Sequence, residues 1–139
     1  DHVDQPEAIR FQRSVDMITF DDFISQCELT HIDFLKVNIN GGEYDIFNED
    51  RLEFFKKNVR HMAIAFHLDN QSRRAAFVHV RETFLKKFLP EEQVNTTDLM
   101  HQKIRFQNWD IFTSAMFGDI DEYAKSTGYQ PLMAYITNW

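Results

Sequence analysis

Cysteine, proline and glycine are all scarce in this chain of 139 residues, which has one, three and four of them. Cys27 alone allows no intramolecular disulfide and no cysteine-based zinc site; a reducing compartment is compatible with it, and a cytoplasmic location is favoured. The glycines leave only Gly41-Gly42, Gly118 and Gly128 for positive-φ turns or close backbone approach to a ligand. There is no G-x-G, so a nucleotide-type cofactor held by a glycine-rich first β-α turn is not supported by this chain on its own. Basic residues are the minority as well, 15 against 22 acidic ones for a formal charge of −7. They are dispersed, which argues against nucleic acid or an anionic membrane surface as partner. No apolar run approaches the roughly 20 residues of a membrane span, and no signal sequence follows Asp1. Phenylalanine is what the chain has in excess, 14 residues, and it marks the core.

The hydrophobic pattern predicts one α/β domain over residues 15–139, preceded by a polar arm at 1–14. Val15, Met17 and Ile18 read as a short extended piece. Thr19 then caps a helix with Asp21 and Asp22 in its first turn, and Phe20, Phe23, Ile24 and Cys27 follow as one buried stripe, making Cys27 a small core residue. Ile32–Ile39 reads as a strand covered on both faces. After Asn40-Gly41-Gly42 come a helical turn from Glu43 to Phe47 and a short helix from Arg51 to Asn58, with Leu52, Phe54 and Phe55 turned inward. Val59–Leu68 is a second buried strand, so the order is that of a right-handed βαβ unit.

Ser72–Leu89 carries Ala76, Phe77, Val80, Phe84, Leu85 and Phe88 at helical spacing and is stopped by Pro90. Glu91–Asp98 is a polar loop. Ile104–Trp109 reads as extended, Asp110 as the cap of a helix running through Phe112, Met116, Ile120 and Tyr123, and Gly128 as the residue that ends it. Leu132–Ile136 is a final strand. Trp109 and Trp139 read as packing residues. The histidines show neither H-x-x-x-H nor H-E-x-x-H spacing, so no metal is expected, and no nucleophile elbow supports Ser/His/Asp catalysis.

Two stretches, Thr19-Phe20-Asp21-Asp22 and Ile32-Asp33-Phe34-Leu35-Lys36-Val37-Asn38-Ile39-Asn40-Gly41-Gly42-Glu43-Tyr44, resemble the FkbM family of S-adenosylmethionine-dependent methyltransferases. That family shows a "TLDD" helix start, a strand reading "IDLLKIDIEGAE", and a further strand with a carboxylate and a histidine near its end. Thr19, Asp21, Asp22, Lys36, Gly41, Glu43 and His67 fit. The resemblance implies a Rossmann-like methyltransferase sheet of which this chain carries the C-terminal half, the N-terminal cofactor-binding strands lying before residue 1. S-adenosylmethionine is then the implied cofactor if that half is supplied, and a small-molecule or sugar hydroxyl the implied acceptor.

On this resemblance Lys36, Glu43 and His67 are candidate catalytic residues, and Asn38, Asn40 and Gly41 candidate substrate-binding residues. Plainer roles stand beside these. Lys36 can snorkel to solvent, Glu43 can stabilise a helix N-terminus through the dipole, and His67 can be a structural strand-end histidine. Three acids of the family pattern are replaced, by Asn38, Asn40 and Ala65. Asn keeps size and hydrogen bonding but is no general base. A second reading follows, a catalytically inactive methyltransferase-like scaffold or binding subunit, with its sheet edge covered by self-association or by a partner chain.

Overall fold

The computed structural model describes residue 14, residues 17–89 and residues 103–139. The expected arm, Val15 and the polar loop at 91–98 lie outside the described residues. Among the described residues twelve elements follow in order: α1 (Phe20–Gln26), β1 (Ile32–Val37), α2 (Glu43–Ile46), a 3-10 turn (Glu49–Arg51), α3 (Leu52–Asn58), β2 (Val59–Phe66), α4 (Gln71–Thr83), a 3-10 turn (Leu85–Phe88), β3 (Ile104–Arg105), α5 (Trp109–Phe117), α6 (Ile120–Ser126) and β4 (Leu132–Thr137). The architecture is mixed α/β.

The four strands form one sheet in the order β1-β2-β4-β3. β1 and β2 are parallel, as the strand-helix-strand order predicts. β4 inserts antiparallel to both β2 and β3, so β2 is a central strand of a mixed sheet. Register sets the faces, because successive side chains alternate. Leu35 and Val37 lie beside Met62 and Ile64, and Met62, Ile64 and Phe66 lie beside Ile136, Ala134 and Leu132. This face carries the core, where Phe77 and Val80 of α4, Phe112, Ala115 and Met116 of α5, and Ile120 and Ala124 of α6 join it. The phenylalanines interlock here. Phe55 sits 5.0 Å from Phe47 and 5.6 Å from Phe84 between ring centroids, and Phe66 sits 5.3 Å from Phe77; such pairs add about 0.5–1.5 kcal/mol each beyond area burial.

Several expectations are corrected. β1 is at the sheet edge, not covered on both faces: it ends at Val37, which is its one buried residue, and Phe34 is 60% exposed. The α1 stripe is not buried either. Thr19 does cap the helix, its Oγ1 accepting from the Asp22 amide at 3.1 Å, but no residue of α1 is buried, Phe23 is 44% exposed and Cys27 is exposed. Only the Phe20 end packs, against Phe54 and Phe55. Met17 and Ile18 form no strand and are exposed.

The helix expected over 72–89 divides at Phe84, where the backbone leaves helical geometry and a 3-10 turn follows. A 3-10 turn eclipses residues three apart, and here that places both Leu85 and Phe88 in the core while Phe84 fills the aromatic cluster. The helix expected to run on from Asp110 is two helices. Asn108 caps α5 through its side chain, Asp110 merely standing in the first turn, and Asp119 caps α6. Extended structure at 104–109 is limited to Ile104–Arg105. No helix among the described residues is long and apolar enough to cross a membrane.

Candidate functional site

The loops that leave the carboxyl ends of β1 and β2 lie side by side, as parallel strands with β-α connections require, and such ends are where open α/β sheets bind ligands. After β1 the chain passes through two positive-φ residues, Asn40 at 52° and Gly41 at 109°. This reversal sends α2 back with Glu43 as its first residue.

Glu43 is, among the described residues, the one buried charged residue, 0% exposed. Its carboxylate is met by three donors. Oε1 accepts the Gly41 amide at 2.8 Å, and Oε2 accepts the His67 amide at 2.7 Å and faces His67 Nδ1 at 3.0 Å. A carboxylate removed from water needs such replacement donors. A carboxylate has no proton to give, so in the neutral imidazole the Nδ1 of His67 carries the hydrogen and Nε2 the lone pair. Tyr44 adds a further tie. Its hydroxyl donates to the His67 carbonyl at 2.6 Å, and burial, with the neighbouring Glu43 carboxylate, pushes its ionisation well above the usual phenol range, so the hydroxyl stays a donor.

Beside this pair is an open cavity of about 420 Å³ lined by Asn40, Gly41, Gly42, Tyr44 and Asp45 from the first loop and by Asn70, Ser72, Arg73 and Ala76 from the second loop and α4. Arg73 spans it. The guanidinium donates to Asn40 Oδ1 at 3.0 Å, to the Asn40 carbonyl at 2.7 Å and to Asp69 at 2.7 Å. Its hydrogen bond holds the Asp69 carboxyl below the usual carboxylate range.

Of the residues singled out in the sequence, Glu43 and His67 are brought into contact, and Asn40 and Gly41 line the cavity next to them. Asn38 is exposed in the loop and does not line the cavity. Lys36 is exposed and pairs in register with Ala63 on the face turned away from the core. Among the described residues no hydrogen bond or ion pair joins it to Glu43 or His67. Ala65 is buried in β2. Tyr44, Asp69, Asn70, Ser72 and Arg73 were not singled out, and only Asn70 had a local signal, as a cap residue ahead of an apolar-periodic segment; it caps α4 by accepting the Arg73 amide.

The described residues do not by themselves fit S-adenosylmethionine. The lining offers an adenine ring little apolar surface beyond Tyr44 and Ala76. The side of the turn that a Cβ on Gly41 would face is filled by Arg73, whose guanidinium would lie 2.7 Å from it. Among the described residues no group of three His, Cys, Asp or Glu side chains is placed to hold a metal ion.

The chain thus joins an α/β fold to a Glu43–His67 pair and a polar cavity at its parallel strand ends. The family model described as Methyltransferase FkbM domain matches residues 3–131. The chain belongs to that family. No curated protein and no solved structure matches it.

Proposed function

We propose that the chain is part of a Rossmann-like methyltransferase that moves a methyl group onto a hydroxyl of a small molecule or sugar. The observation that carries this reading is the Glu43–His67 contact beside a polar cavity, in a chain of the FkbM family. In this family S-adenosylmethionine supplies an electrophilic methyl group; no part of that group is placed on the described residues.

What these residues do concerns the acceptor. Glu43 holds Nδ1–H of His67, so the lone pair on Nε2 is the base that takes the acceptor hydroxyl's proton as its oxygen becomes nucleophilic. Asn40, Asn70 and Ser72 offer hydrogen bonds that orient a polyhydroxylated acceptor. Arg73 is already committed to Asn40 and Asp69, so the cavity favours a neutral polar acceptor over a strongly anionic one. Asn38, Asn40 and Ala65 supply no base; the role is given to His67 because Glu43 orients its ring, while the Asp45 carboxylate also lines the cavity.

The test is transfer of labelled methyl from S-adenosylmethionine to a panel of sugars and small alcohols, with His67→Ala and Glu43→Gln compared. Label appearing in product, and lowered by about 10²–10⁴-fold in His67→Ala as loss of a general base predicts, supports the reading. Transfer unchanged in His67→Ala overturns it. Binding of S-adenosylmethionine and S-adenosylhomocysteine, followed by calorimetry, tests the cofactor separately.

A further inference from the structure

Arg73 stands on α4, one loop away from Glu43 and His67, and among the described residues it makes no hydrogen bond or ion pair to either, yet its contacts converge on the peptide that feeds them. The Asn40 carbonyl and the Gly41 amide belong to one peptide unit. In a planar trans unit they point in opposite directions. The carbonyl accepts from Arg73 Nη2 at 2.7 Å and the amide donates to Glu43 Oε1 at 2.8 Å. Any rotation of that plane breaks both bonds together.

The rest of the local structure is built around this arrangement. Nη1 of Arg73 also holds Asn40 Oδ1, which fixes a residue in the left-handed region, φ 52°. The Asp69 carboxylate accepts from the same Nη1, and the Asn70 side chain, by capping α4, fixes the backbone from which Arg73 projects. Gly41 makes the approach possible. Its φ of 109° disfavours any side chain, and a Cβ there would meet three guanidinium atoms at 2.7–2.9 Å, so glycine is favoured by the turn and lets Arg73 stand where it does.

We propose that Arg73 is a positioning residue: by clamping the Asn40–Gly41 peptide it aims the Gly41 amide at Glu43, and through Glu43 it fixes the tautomer and orientation of His67. This rests on the reading of Glu43 and His67 as the working pair. The arrangement is a chain of three contacts, Arg73 to Asn40, Gly41 to Glu43, and Glu43 to His67. Asp69 acts only by holding Arg73, so Asp69→Asn, which keeps a side-chain acceptor, perturbs the pair less than loss of Arg73.

The experiment is nuclear magnetic resonance on the 139-residue chain and on Arg73→Ala, Arg73→Lys and Asp69→Asn, reading hydrogen exchange of the Gly41 amide and the ring nitrogen shifts of His67. In the unaltered chain His67 is the Nδ1–H tautomer when neutral. In Arg73→Ala the Gly41 amide loses protection by about tenfold or more, the equilibrium worth of one hydrogen bond to a charged group. His67 becomes a mixture of tautomers, while the β2 amides keep their protection. Arg73→Lys, which can still reach one carbonyl, restores part of both signals, a rescue that a general stability effect does not give. Unchanged Gly41 exchange and an unchanged His67 tautomer in Arg73→Ala overturn the proposal. If Arg73→Ala also exposes the β2 amides, Arg73→Lys decides by the same two signals: neither altered, or both lost as completely as in the alanine variant, overturns it. These signals do not depend on methyl transfer, so a chain that shows them but has no activity keeps the clamp and loses the catalytic reading.

Discussion

Glu43 carries the most consequence of any single side chain because it is a buried carboxylate whose three donors all come from the site loops. Glu43→Gln replaces one acceptor oxygen by an NH2 group that opposes an N–H, leaving buried donors unmatched. The expected cost is about 1–3 kcal/mol, read as a lower urea midpoint with an unchanged slope. Tyr44 gives a pH signature. Burial, helped by Glu43, raises its ionisation in the folded state above the ordinary value near 10. The unfolded chain therefore loses this proton first as pH rises, so stability is intact below about pH 10 and falls above it. Tyr44→Phe should flatten that alkaline decline while costing about 0.5–1.5 kcal/mol at neutral pH through the lost bond to the His67 carbonyl; melting curves from pH 7 to 11 check both signs. At this scale the family resemblance brought Glu43, His67, Asn40 and Gly41 into view together. It did not reveal Arg73 or Tyr44, whose partners stand 33 and 23 residues away and leave no mark in local spacing.

Elements were legible where a local rule decides them and misread where a tertiary demand overrides the rule. The βαβ unit from Ile32 to Leu68 follows from apolar, β-branched runs around a glycine turn, and Thr19 and Gly128 do what capping and left-handed geometry predict. The break at Phe84 has no breaker residue to announce it. Phe84, Leu85 and Phe88 all enter one core across it, at a spacing that a continuous α-helix would also allow, so the apolar pattern carries no mark of the break. Gly118, at the end of α5, has an ordinary negative φ of −98° and a specific role. A Cβ there would lie 2.8 Å from the Ser114 carbonyl oxygen, and the carbonyls of Ala115 and Gly118 both accept from Arg81 of α4. Gly118→Ala must therefore distort the last turn of α5, which Arg81 holds. The expected loss is about 1–3 kcal/mol, whereas Ser126→Ala at the exposed end of α6 stays within about 0.5 kcal/mol; paired denaturant melts separate the two.

The sheet as a whole is asymmetric, and that asymmetry explains both the largest misreading and where stability resides. One face receives the core, with Phe47, Phe55, Phe66, Phe77 and Phe84 each 0% exposed. The other shows Phe34 and Tyr135 at 60% and 39% exposure around the small residues Ala63 and Ala65. An apolar strand composition reports that a strand is hydrophobic, not which neighbours cover it, so β1 reads as fully enclosed although it lies at the sheet edge. The two kinds of phenylalanine should behave differently. Phe84→Ala empties a site between Phe47, Phe55 and Phe88 and should cost about 3–5 kcal/mol, a large share of the roughly 5–15 kcal/mol available to a domain. Phe34→Ser removes an open ring and should change stability by no more than about 0.5 kcal/mol. Thermal melts of the two variants test where the core lies: a large loss in Phe34→Ser would mean that this face is covered in solution, and light scattering on the same sample would then show whether a second copy covers it.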